Sequence, residues 1–291
     1  MRVLLCGSTG MLGKAVVKEF SKHGVELYTL SRTNADINLD VVHAELLTKH
    51  LNELEPDIII NALANVNLQL CEANPSSAYL INARPVSFLA DYASSRNKYL
   101  IQISTDHFYA DQKNILHDEK APITLLNEYA RTKYAAECFA LTAPNSLVIR
   151  TNIIGFRNLE ARPTFVEWVL RSLHNQENMK LFENVYASSI AVSQFAEIMY
   201  DLILRKAKGI LNIASAESVS KKDFVLRLAR KFELNTGNVD VASYVNGTGV
   251  QRSLSMGLNV GKAERLLGYT MPDLEQVIDR LYVDYFEGEQ S

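Results

Sequence analysis

The chain has 291 residues, a net charge of −3, 47% hydrophobic and 22% charged residues. This is the make-up of an ordinary globular protein with ample length for a core, and it carries no basic footprint for nucleic acid. No apolar run approaches membrane-spanning length, residues 1–5 lead straight into a glycine turn and are too short for a signal peptide, and Cys6, Cys71 and Cys138 lack metal-ligand spacing. The expectations are a cytoplasmic protein with no membrane or nucleic-acid partner and no metal.

Val3-Leu4-Leu5-Cys6 reads as a strand buried on both faces. Gly7-Ser8-Thr9-Gly10-Met11-Leu12-Gly13 follows, and then a helix over 14–23. In a strand–glycine turn–helix unit the first Gly permits the turn, the second admits a pyrophosphate to the backbone, and the last lets helix and strand pack. The second strand, over 25–30, ends in Ser31-Arg32 where an NAD-specific site usually has an acid. A hydroxyl and a guanidinium suit a 2′-phosphate, so NADPH is favoured, with NADH possible. Asp36-Ile37 sits on the third strand and suits adenine binding. A helix over 41–54 leads to a buried strand, Ile58-Ile59-Ile60-Asn61, and then Ala62-Leu63-Ala64, small enough to let a cofactor lie on backbone. Residues 72–95 read as helix interrupted near Pro75 and Pro85. The strand 99–103 delivers Ser104-Thr105-Asp106 at its C-terminal end, the edge where open α/β sheets bind ligands. A helix over 127–141 carries Tyr129 and Lys133 one turn apart on one face.

A strand-end hydroxyl, a phenol and a lysine form a proton-transfer set. Tyr129 can protonate a carbonyl oxygen that receives a hydride, Lys133 makes the phenolate easier to form, and Thr105 can hold the carbonyl. The Tyr-x-x-x-Lys pair alone equally fits an amphipathic helix surface; the upstream dinucleotide unit is what gives it meaning. A further strand over 146–150 completes an alternation of strands and helices, hence an α/β, Rossmann-type, doubly wound parallel sheet.

The glycine turn, Asn61-Ala62-x-Ala64, Ile103-Ser104-Thr105-Asp106 and Tyr129-Ala130-Arg131-Thr132-Lys133 resemble the extended short-chain dehydrogenases/reductases, and among them the dTDP-4-dehydrorhamnose reductase family. Asp36-Ile37, Asn82-Ala83, Arg150-Thr151 and Gly209 to Ala214 add to the likeness. The resemblance implies NADPH-dependent reduction of the 4-keto group of a nucleotide-linked 6-deoxysugar, with Tyr129 as proton donor, Lys133 as its modulator and ribose anchor, and Thr105 as carbonyl holder. The cofactor candidates are Gly7, Thr9, Gly10, Met11, Leu12, Gly13, Ser31, Arg32, Asp36, Ile37, Ala62, Leu63, Ala64, Asn82, Ser104, Tyr129 and Lys133. The chain departs from the family around Asn65, at His107-Phe108-Tyr109, and at Asn152, where a Trp usually follows closely. These departures bear on the particular sugar. An epimerase/reductase or dehydratase on the same fold, using Cys71 or His107, is one alternative. A non-catalytic NADP-binding subunit, similar to the regulatory subunit of methionine adenosyltransferase, is another.

Beyond Phe156 the alternation weakens. The expected division is a dinucleotide-binding domain over 1–155, with 187–214 returning to it, and a smaller, mixed substrate-binding domain over most of 156–291. Substrate candidates are Asp106, His107, Asn152, Arg162 and Arg252, the two arginines for a diphosphate. Phe165, Trp168, Phe182 and Tyr186 suit core packing or a sugar nucleotide. Helices are expected over 165–174, 193–204, 220–232, capped by Ser220, and 274–285; a strand over 210–213; a mobile loop over 235–250; and a frayed tail after Phe286. The family makes a homodimer plausible.

Overall fold

Short β-branched and leucine-rich runs with no polar alternation can satisfy their side chains only with cover on both faces. Such runs form the centre of this fold, a computed structural model that describes residues 1–111 and 113–289. A seven-stranded sheet has the order Gly209–Asn212, Ser146–Arg150, Tyr99–Ile103, Ile58–Asn61, Arg2–Cys6, Glu26–Ser31, Ile37–Asn38. Neighbours from Ser146–Arg150 to Ile37–Asn38 pair in parallel. The strand order reverses on either side of Arg2–Cys6, the Rossmann-type arrangement expected from the sequence. Leu4, Leu30, Ile59, Leu100 and Val148 are fully buried against Leu47, Leu51 and Leu89 of the flanking helices. Each such side chain contributes roughly 1.5–3 kcal/mol of transfer free energy.

The chain forms two compact units. One comprises Met1–Thr105, Leu125–Arg150 and Ala196–Leu211; the other comprises Asp106–Thr124, Thr151–Phe195 and Asn212–Ser291. The excursion over 106–124 belongs with the second unit, and residues 196–211 with the first. The second unit has its own core, in which Val166, Val225, Leu228, Val277, Ile278 and Leu281 are completely buried. It also holds a four-stranded sheet of Val219–Ser220, Tyr186–Ala187, Ser255–Leu258 and Leu116–His117.

Helix starts follow their capping chemistry. Asn127 accepts from Ala130 N at 2.9 Å to open Glu128–Ala140. Thr164 and Glu167 form a reciprocal capping box at Phe165–His174. Ser220 caps Lys221–Lys231. Three expectations are corrected. The helix predicted from residue 41 begins at Ala44, because Val41 is drawn into the core. Within the predicted mobile loop 235–250, Val239–Ala242 is a strand paired in parallel with Met179–Phe182. The last helix continues past Phe286 to Glu289; residues 290 and 291 of the predicted frayed tail lie outside the described residues.

Candidate active site

The strand Arg2–Cys6 ends at Gly7, whose φ of +90° disfavours any side chain. A Cβ there would lie 3.0 Å from the Ala62 carbonyl carbon and 3.1 Å from Leu63 N. At Gly13 a Cβ would lie 2.2 Å from Gly7 O. Backbone thus meets backbone on both sides of the turn, and Ala62 and Leu63 form one wall of it. The helix Met11–Ser21 begins after Gly10 with no side-chain cap, so its first N–H groups suit an anion. Ser8 Oγ is buried with no hydrogen-bond partner in the protein. This cradle fits the diphosphate of a dinucleotide. Of the other expected cofactor residues, Ser31 is buried with its Oγ 2.8 Å from Thr9 Oγ1, joining the second strand to the turn. Arg32 is exposed, Met11 and Ala64 are half-buried, and Leu12 is buried. Asp36 accepts from Thr29 N at 2.9 Å and Thr29 Oγ1 at 2.7 Å. These bonds hold its carboxyl below the usual range and pin the segment that leads to Ile37.

At the sheet's C-terminal edge the strand Tyr99–Ile103 meets the helix Glu128–Ala140. Lys133 Nζ donates to Ile103 O at 2.6 Å, and that carbonyl also accepts from Gln102 Nε2 at 2.7 Å. Asn61 in turn donates to Gln102 Oε1 at 2.7 Å, so one buried polar chain ties two strand ends to the lysine. Thr105 is 3% exposed, Tyr129 8% and Lys133 3%, a desolvated set that favours proton transfer over hydration. Burial pulls the Lys133 ammonium down to about 8, with the Glu137 charge opposing the fall. Ser104 Oγ donates to Glu137 Oε1 at 2.6 Å, and Arg150 grips the same carboxylate through Nε at 2.9 Å and Nη2 at 2.8 Å. The structure therefore brings Ser104 and Lys133 together from separate stretches.

Asn82, another of the expected cofactor residues, is tied into the protein. It is completely buried; its Oδ1 accepts from Asn65 N at 2.6 Å, and its amide donates to Asn65 O and Thr132 Oγ1. Both amide hydrogens are thereby engaged, and the residue fastens the 62–67 segment to the Tyr129 helix.

Within the second unit, Asp106 is 2% exposed and accepts from Asn152 Nδ2 at 2.5 Å, while Ser189 Oγ donates to Asn152 Oδ1 at 2.9 Å. His107 Nε2 lies 3.9 Å from Asp106 Oδ1. Burial depresses the His107 imidazolium; Asp106 opposes this, while Lys221 and Arg252 add to it. So Asp106, His107, Asn152 and Arg252 gather with Lys221, which sequence reasoning missed because a lysine opening a helix looks like a solvated first turn. Arg162 is exposed, and no hydrogen bond or ion pair among the described residues joins it to this group. Phe165 packs against the second core, and Trp168 is 37% exposed. Glu137 was also missed; its position four residues after Lys133 was the available signal. Among the described residues no three His, Cys, Asp or Glu are grouped to hold a metal, and no helix is long and apolar enough to cross a membrane.

A dTDP-4-dehydrorhamnose reductase of Aggregatibacter actinomycetemcomitans is 27% identical over 236 residues, covering 78% of each chain. The crystal structure of a dTDP-4-dehydrorhamnose reductase from Bacillus anthracis in complex with NADP superposes with a TM-score of 0.85, at 23% identity and 97% coverage of both chains. That of a hypothetical dTDP-4-dehydrorhamnose reductase from Sulfolobus tokodaii gives 0.84 at 26% identity, covering 95% of this chain and 99% of that one. The family model described as the RmlD substrate binding domain matches residues 1–286. Together with the glycine turn and the Tyr129–Lys133 pair, this match places the chain in the RmlD substrate-binding-domain family, within the extended short-chain dehydrogenases/reductases it resembles in sequence.

Proposed function

We propose that the protein is an NADPH-dependent reductase of the 4-keto group of a nucleotide-linked 6-deoxysugar, of the dTDP-4-dehydrorhamnose reductase type. The observation that carries this reading is the buried Lys133 Nζ on Ile103 O, two residues before Thr105 and one helical turn from Tyr129. NADPH, when bound, supplies the hydride. The cradle of Gly7, Gly10 and Gly13 receives its diphosphate, and Ser31 and Arg32 suit its 2′-phosphate. Thr105 holds the keto oxygen by a hydrogen bond. Tyr129 gives that oxygen a proton as its negative charge develops. Lys133, while charged, stabilises the phenolate left behind, and the Ile103 carbonyl keeps its ammonium in place. Asp106, His107, Asn152, Arg162 and Arg252 are the substrate-recognition candidates. The family name of the relatives and the NADP in the Bacillus anthracis structure support this reading.

The test is NADPH oxidation with dTDP-4-keto-6-deoxy-L-mannose generated in situ, with Tyr129→Phe beside the natural protein. Loss of the phenol should lower turnover by ~10²–10⁴-fold and leave NADPH affinity nearly unchanged. Equal turnover in the two proteins overturns the assignment of Tyr129. Absence of turnover by the natural protein on this and other nucleotide keto sugars overturns the reductase reading.

A further inference from the structure

Glu137 lies one turn beyond Lys133 on the same helix and is 1% exposed, as is Arg150. A buried carboxylate is tolerated only when it is paired and its lone pairs are occupied. Arg150 supplies a two-pronged grip and Ser104 Oγ a third donor at 2.6 Å. Ser104 N is itself fixed on Ile149 O at 2.7 Å. The pair thus locks the Ser146–Arg150 strand and the lysine helix onto the residue that immediately precedes Thr105. Packing alone would be served as well by apolar side chains of similar volume, often with a gain in stability.

Resting on the reductase reading, we propose that Glu137 is a positioning residue for the reaction: its carboxylate, anchored by Arg150, fixes Ser104 beside Thr105 and keeps the buried Lys133 ammonium charged. The groups facing Lys133 bear this out chemically. On its own helix Tyr129 lies one turn before it and Glu137 one turn after it, the strand Tyr99–Ile103 contributes the Ile103 carbonyl, and the Ser146–Arg150 strand contributes Arg150, which pairs with Glu137. The Glu137 charge opposes the effect of burial on the lysine. Without it, the ammonium would lose its proton nearer to neutral pH, and the phenolate of Tyr129 would lose its support.

The experiment reads Lys133 directly, in protein without substrate or cofactor. The natural protein, Glu137→Gln and the double variant Glu137→Gln/Arg150→Met are labelled with [ε-¹³C]lysine and titrated by NMR, the Lys133 signal being assigned by its loss in Lys133→Met. The double variant leaves neither member of the Glu137–Arg150 pair buried without the other, so it keeps the fold if the single one does not. Lys133 is expected to titrate roughly one pH unit lower in Glu137→Gln than in the natural protein, and lower by a smaller interval in the double variant, which removes the Arg150 cation together with the Glu137 anion. In turnover, the alkaline fall of kcat should move down by the same interval while KM for NADPH changes less than threefold. Unchanged Lys133 titration in a folded variant overturns the proposal. Lowered titration with no turnover by the natural protein would count against the reductase reading and leave the charge-keeping role of Glu137 standing.

Discussion

A methyl group at position 13 tests the geometry of the glycine turn. In Gly13→Ala the new carbon would lie 2.2 Å from Gly7 O, 2.5 Å from Ser8 Cα and 2.6 Å from the Ser8 carbonyl carbon. Favourable contact between such atoms begins near ~3.5 Å, so the overlap is about 1 Å. All three atoms are backbone, and no rotamer change relieves them. Either the helix Met11–Ser21 backs away from the strand or the turn opens. Overpacking of this kind costs ~1–3 kcal/mol. Because the same atoms shape the diphosphate cradle, part of that penalty should appear in binding: ~2 kcal/mol is a roughly 30-fold rise in Kd. Gly10→Ala is the informative contrast, since its Cβ would meet only Gly7 O, at 3.4 Å. It should melt with the natural protein, yet bind NADPH more weakly if the dinucleotide lies on the backbone there. Gly24→Ala, at φ +61° with nothing within 4 Å, should lose about 1 kcal/mol of stability and no affinity. Fluorescence titration with NADPH and thermal denaturation in one buffer measure both quantities. A Gly13→Ala protein with the natural melting midpoint and the natural Kd would refute the steric reasoning.

Three further outcomes are expected. The Lys133 ammonium sits at about 8 in the fold against 10.5 in the open chain. Its burial penalty, ~3 kcal/mol at about 1.4 kcal/mol per pH unit, is therefore fully present below pH 8 and is relieved as pH rises toward 10.5. Lys133→Met should abolish turnover yet raise the melting midpoint at neutral pH, with the gain shrinking above pH 8; a gain that grows there contradicts the assignment. Arg32→Ala should raise Kd for NADPH about tenfold and leave NADH binding unchanged, by analogy with other guanidinium–phosphate pairs; an equal effect on both would remove Arg32 from the 2′-phosphate site. Asn152→Ala takes away the donor held 2.5 Å from the buried Asp106 carboxylate and should cost ~1–3 kcal/mol in urea unfolding; an unchanged midpoint would mean that this bond does not hold Asp106.

The parts of this fold that the sequence displays are those whose information is local. Val3 to Cys6 followed by Gly7 carries its strand, turn and helix within twenty residues. Asn127, Thr164 and Ser220 mark helix starts by side chains that bond three residues on. The second unit conceals its strands because they are two to four residues long and take partners far along the chain. Val239–Ala242 pairs with Met179–Phe182, and Ser255–Leu258 lies between Tyr186–Ala187 and Leu116–His117. No periodicity develops over so few residues. At the site, Tyr129 and Lys133 are legible because helical spacing fixes their common face. Asn82 has a part that sequence could not display: its amide joins Asn65 and Thr132, which are far from it along the chain. Glu137 was hidden because its meaning depends on Arg150 and Ser104, which pairing across strands and helix alone brings to it.

The interleaving of the two units also bears on how such a protein can change over generations. Each unit is assembled from three separated stretches of the chain. A single recombination event therefore cannot replace one unit and retain the other: any one crossover splits at least one of them, and one between residues 106 and 211 splits both. Excursions such as 106–124 would have to be exchanged together with two other stretches, each matched to the same core. New substrate preference in this lineage is thus expected to arise by point substitution and loop remodelling within an inherited framework, not by trading whole modules between genes.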